Sequence, residues 1–203
     1  MLREHRRQQI LESAKKVFAA KGYHATGVAD IIKDCGIARG TFYLYFGSKR
    51  NVFETILDAF LELLKERIPR IDETVGIEGI KKQIHDNVTG VLSAYAENPD
   101  MARILLNEAV GLDKEFDRKL WDFYKDFLGL IEDALVLGQE MGIVRPLDTR
   151  IIAASIHGSM QEVVRRVLHG RFDMDLDQVV EEILAYNIRA LFVPELVEAW
   201  DRL

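Results

Sequence analysis

Apolar residues recur at three- and four-residue steps along almost the whole chain, and no stretch alternates as a half-buried strand requires. The four prolines, Pro69, Pro99, Pro146 and Pro194, each fall where such a stripe breaks. That is where a residue without an N–H, whose ring clashes with the preceding turn, belongs. The spacing predicts helices over 3–21, 28–35, 39–45, 48–67, 77–97, 99–111, 114–141, 149–169 and 176–193, an all-α fold. Local signals agree. Gly22 after Lys21 reads as a C-terminal stop and Ser48 as an N-cap. Asn98-Pro99 places a cap before a first-turn proline, and Asp175 with Gln178 three residues on reads as a capping box.

At 203 residues, 48% hydrophobic and 30% charged, the chain suits one or two soluble domains with a full core. No run of 18 apolar residues suggests a membrane span. The charged start, MLREHRRQQI, leads directly into a helical pattern and does not read as a secretory signal. A single cysteine, Cys35, excludes an internal disulfide framework and a cysteine-based zinc site, so a cytoplasmic protein without metal or cofactor is expected.

The net charge of −6 argues against a polyanionic partner only until it is divided along the chain. Residues 1–50 hold ten Lys and Arg against four Asp and Glu, an excess of six positive charges. The remainder hold 17 basic and 29 acidic residues, an excess of twelve negative charges. The N-terminal part is therefore the part suited to meet nucleic acid.

That part contains the run Gly36 to Lys49, GIARGTFYLYFGSK, with four aromatics in the five residues Phe42 to Phe46. Ahead of it, Val28, Ile31, Ile32 and Cys35 share one side of a short helix, and Gly36-Ile37-Ala38 makes a tight corner. Helix, short glycine-containing turn and second short helix form a helix-turn-helix. With Phe42 and Phe46 facing inward, Arg39, Thr41, Tyr43 and Tyr45 are left outward. Arg can grip guanine, and hydroxyl groups can reach bases or phosphate. Gly40 has no side chain to hold backbone away from DNA, and Lys49 stands in the first turn of the next helix, where phosphate binds.

The stretch from Gly22-Tyr23 through Asp30-Ile31 to GIARGTFYLYFGSKRNVF resembles the DNA-binding region of the tetracycline-repressor (TetR) family. The resemblance covers about residues 3–55 and implies that the third helix enters the major groove. It implies base or phosphate contacts for Arg39, Gly40, Thr41, Tyr43 and Tyr45, and phosphate contacts for Thr26 and Lys49. Gly27 and Ala29 depart from the Thr and polar residues common in the family, which shifts the expected readout toward Arg39 and the tyrosines. The implied organisation is a helix-turn-helix domain over 1–47 and a helical ligand-binding and dimerisation domain over 48–203.

In the second part, Phe116, Leu120, Phe123, Phe127, Leu130, Ala134, Leu137 and Met141 form one stripe of the helix at 114–141. A second stripe beside it means that other helices enclose this one. The resemblance implies that such a helix lines an effector cavity, whose polar candidates are Asn107, Tyr124, His157 and Gln161 beside Phe127. It also implies a homodimer through the last two helices, with Ile156, Met160, Val163, Val167, Val180, Ile183, Leu184, Asn187 and Leu191 in the interface. Two-fold symmetry independently doubles the footprint of one short reading helix.

These readings lead to a dimeric transcriptional repressor, bound to a palindromic double-stranded DNA operator and released by a small apolar or aromatic molecule. No metal-spaced His/Glu cluster or glycine-rich phosphate loop points to an enzyme. Ser155, His157 and Ser159 alternate too closely on one helix for a nucleophile and its base. The alternative is an architectural or constitutive DNA-binding protein without an effector.

Overall fold

The computed structural model describes residues 2–108, 113–172, 175–194 and 197. Nine α-helices occupy the described residues: α1 (Leu2–Lys21), α2 (Val28–Cys35), α3 (Arg39–Tyr43), α4 (Lys49–Glu66), α5 (Gly76–Glu97), α6 (Pro99–Arg103), α7 (Lys114–Glu140), α8 (Thr149–Leu168) and α9 (Leu176–Leu191). A 3-10 turn, Glu73–Val75, precedes α5, and α6 runs on as a π turn, Ile104–Glu108. The end of the helix expected over 99–111 lies outside the described residues. Among them the one β feature is an isolated antiparallel bridge between Val144 and Phe192. No described helix is long and apolar enough to cross a membrane.

The expected punctuation sets several ends. The Gly22 N–H bonds the Phe18 carbonyl at 2.8 Å with a φ of 79°, closing α1 in a left-handed conformation that glycine adopts without strain. The Ser48 hydroxyl accepts from the Asn51 N–H at 3.1 Å. Asp175 and Gln178 exchange reciprocal bonds across the first turn of α9. At α6, Pro99 takes the first-turn position while the Asn98 side chain makes no cap bond.

Two compact units emerge. One comprises Met1–Leu63 with Asn98–Asp117, the other Leu64–Glu97 with Arg118–Leu203. Each unit is assembled from two separate stretches, whereas the expected organisation was a single cut after residue 47. The π turn and the first turn of α7 belong with the helix-turn-helix. Their Phe116 packs edge-on against Phe53 at 5.4 Å between ring centres, and Phe53 in turn meets Phe18 at 5.2 Å. Burying such rings is worth several kcal/mol to the unit, roughly 1.5–3 each.

In the second unit, α5 and α9 pack together. Gly138 lets the end of α7 close on Val144: a methyl group added there would lie 2.5 Å from its side chain.

Candidate functional site

In the first unit α3 is held from behind. Phe42 is fully buried and Phe46 nearly so, their rings 6.2 Å apart. The buried rings fix the helix and leave its other face to solvent. Tyr43 is 46% exposed, and the Arg39 guanidinium lies 5.8 Å from its ring centre, a cation–π pairing that orients a cation on that face. Gly40 is exposed and Thr41 and Tyr45 half-buried. Arg7 of α1 lies 5.2 Å from the Phe46 ring centre.

The two residues expected to flank this face on phosphate turn inward. Thr26 is only 2% exposed, and its hydroxyl donates to the Gly22 carbonyl at 2.7 Å. The expected side-chain contact of Thr26 is therefore corrected: the hydroxyl closes the turn between α1 and α2. The Lys49 ammonium donates to the Tyr23 carbonyl at 2.7 Å and sits 4.1 Å from that residue's ring centre. Burial lowers its pKa. Both residues serve the segment 22–26.

Arg50, which sequence reasoning passed over, ties α4 to the start of α7. Its guanidinium bonds Glu54 at 2.8 Å, Asp113 at 2.6 Å and Glu115 at 2.8 Å, and stacks 4.9 Å from the Phe116 ring centre. Asp113 also accepts from the Glu115 and Phe116 N–H groups. Those backbone bonds, with Arg50, hold its carboxyl below the usual carboxylate range.

The second unit contains a cavity of about 180 Å³. Its walls are aliphatic: Ile80, Ile84, Val88 and Val91 from α5, Leu130 and Ala134 from α7, Ile156 and Met160 from α8, and Ile183, Leu184 and Leu191 from α9, with Phe127. Asn87 and Asn187 are its polar residues, and both amide groups donate to backbone carbonyls, of Pro69 at 3.0 Å and of Ile183 at 2.8 Å.

This lining differs from the expected one. Of the predicted pocket residues Phe127 alone faces the cavity. Tyr124, His157 and Gln161 instead form a cluster beside it: Gln161 donates to the Tyr124 hydroxyl at 3.3 Å, and the His157 ring lies 5.1 Å from Tyr124 and 5.4 Å from Phe127. Burial lowers the His157 pKa and raises that of Tyr124. Asn107 is corrected outright, because it is exposed on the π turn of the first unit. The α5 wall was missed, although 80, 84, 88 and 91 follow a helical stripe.

The predicted interface residues are also redistributed. Ile156, Met160, Ile183, Leu184, Asn187 and Leu191 line the cavity, and Val180 is buried within the protomer. Val163 is half-buried and Val167 exposed. The outward face of α8 carries Ile151, 64% exposed, with Ala154, Ser155 and Gly158, and α9 exposes Tyr186 at 69%. Among the described residues, no group of three or more His, Cys, Asp or Glu could hold a metal ion.

Two family models match the chain. That of the tetR family of bacterial regulatory proteins matches residues 10–56, and that of the YsiA-like protein C-terminal region matches residues 53–190. The fatty acid metabolism regulator protein of Bacillus subtilis (strain 168) is 28% identical over 158 residues, covering 77% of this chain and 80% of that protein. A transcriptional regulator FadR from Bacillus subtilis, solved in complex with stearoyl-CoA, superposes with a TM-score of 0.69 at 26% identity, covering 89% of this chain and 97% of that one. The ketosteroid transcriptional regulator KstR2 of Mycobacterium tuberculosis gives a TM-score of 0.78 at 25% identity over 93% and 95% of the two chains.

Proposed function

The chain belongs to the tetR family of bacterial regulatory proteins, and from that premise we propose that it is a transcriptional repressor that binds a palindromic operator as a homodimer and is released by an apolar effector of the long-chain acyl class. Its role is regulatory rather than catalytic. The DNA contacts belong to α3 and the residues just after it: Arg39 to a base or phosphate, Gly40 for close approach, and Thr41, Tyr43 and Tyr45 around them. The observation that carries the effector is the aliphatic cavity, with no charged side chain in its wall. A free carboxylate or phosphate would be desolvated there without a partner, at a cost of several kcal/mol or more. An acyl chain would not, provided its charged head stays in solvent. The relative bound to stearoyl-CoA supports that class.

The cavity's size suggests how such a guest acts. At about 180 Å³ it is on the scale of the roughly 150 Å³ engineered cavity that takes benzene, well short of the roughly 300–1,000 Å³ of a drug-sized site. A long chain enters only if α5, α7, α8 and α9 move apart, so it favours the moved state over the closed one. A ligand shifts an equilibrium only by that differential affinity. Operator titration with and without long-chain acyl-CoA tests the reading, with short-chain acyl-CoA as control. Release by the long chain alone is expected; release by neither overturns the acyl assignment.

A further inference from the structure

Leu44 follows α3 directly, keeps helical backbone angles and is 73% exposed. An exposed leucine is ordinary on a mixed surface. This one follows Tyr43 and stands one turn after Gly40, both assigned to DNA. Side chains on a helix lean toward its N-terminus and cover the turn before their own Cα. The turn before Leu44 begins at Gly40, whose carbonyl accepts the Leu44 N–H at 3.2 Å. A methyl group added at Gly40 would meet no atom within 4 Å. An apolar side chain thus leans over open space, on the side of the helix turned away from the buried Phe42.

We infer that Leu44 reads the 5-methyl group of a thymine in the major groove and so contributes to operator choice. The inference rests on α3 being the helix that enters the groove. The thymine methyl is the apolar group among the donors and acceptors that base pairs display there. Leucine can form no hydrogen bond with a polar edge, so facing guanine, cytosine or adenine it would remove water from that edge without replacing its bonds. Facing thymine, it buries a methyl group.

The test removes that methyl group and nothing else. An operator is selected from random duplexes with the full chain, and each thymine is then replaced in turn by uracil. Dissociation constants are measured for the wild type, Leu44→Ala and Leu44→Met. One position in each half-site is expected to weaken wild-type binding about fourfold, the factor for burying roughly one methylene. Leu44→Ala binds thymine and uracil duplexes equally at that position, while Leu44→Met keeps most of the discrimination. Thermal melts of the three proteins coincide, because the side chain is exposed. Wild-type indifference to every uracil, or full discrimination in Leu44→Ala, overturns the assignment. A wild-type chain that selects no duplex at all overturns the DNA-binding reading beneath it, a result distinct from binding without methyl sensitivity.

Discussion

A lysine ammonium normally keeps its head in water on a flexible stem, whereas that of Lys49 is partly buried. It is drawn onto the Tyr23 carbonyl and ring, where it secures the start of α4 to the turn after α1. Lys49→Ala is therefore expected to lower the melting temperature, and to reduce the salt slope of operator binding by well under the roughly 0.9 that one neutralised phosphate contributes. A drop of that full size with unchanged melting would place the ammonium on DNA instead. Arg39 has the opposite character, exposed and oriented by Tyr43. Arg39→Ala should relax base preference at one position per half-site by roughly 1–3 kcal/mol, read from affinities for single-base operator variants. At His157 the consequence is a pH dependence. Burial lowers its folded pKa, whereas the unfolded chain titrates near about 6.5. Between the two values the unfolded state binds more protons, so this contribution to stability is full above pH about 6.5 and declines as pH falls through that window. Urea denaturation at two pH values on either side of that figure should show the decline in wild type and a smaller one in His157→Leu.

At the scale of elements, periodicity made the helices legible because each stripe has a partner to bury it. The Asp175–Gln178 box was readable for a related reason: its bonds are local, so sequence spacing determines them. Asp175→Ala removes that cap and should cost about 1 kcal/mol, measurable as a shift of the urea midpoint without a change of slope. The face of α3 was likewise readable, since two buried phenylalanines four residues apart dictate what is left outside. The cavity was not. A stripe such as Ile183, Leu184 and Leu191 says that a face is covered, but not whether a neighbouring helix, a second copy or a guest covers it. Residues chosen for a dimer interface thus proved to line the cavity, and a polar trio chosen for the cavity packs beside it. The inward bonds of Thr26 and Lys49 were not readable for a further reason. Their partners are backbone carbonyls in a turn, and sequence gives no sign of which carbonyls a turn presents.

At the scale of the whole molecule, the proposed regulation requires that a second copy and a guest each act on the same chain. On α8 and α9 the protomer leaves Ile151, Ala154, Ser155, Gly158 and Tyr186 uncovered for a second copy. Small residues there allow close approach of a partner helix. A methyl group added at Gly158 would meet nothing within 4 Å in the protomer and the position is exposed, so Gly158→Arg should fold as well as wild type, sediment as a monomer and lose operator affinity. A dimeric Gly158→Arg would move the interface elsewhere. The guest's effect is reciprocal by linkage: if the effector weakens operator binding, operator must weaken effector binding by the same factor, typically roughly 5–150-fold. Enlarging one cavity residue breaks this coupling from the inside. Ala134→Leu projects extra bulk into the cavity from α7 and, as an overpacked site, should lose roughly 1–3 kcal/mol of stability. It competes with the acyl chain for the same volume, so wild-type operator affinity without effector is expected, together with at least a tenfold weaker response to long-chain acyl-CoA. Calorimetric titration of acyl-CoA into free and operator-bound protein, for both proteins, measures each arm. An Ala134→Leu chain that binds acyl-CoA as tightly as wild type would show that the guest is held outside this cavity.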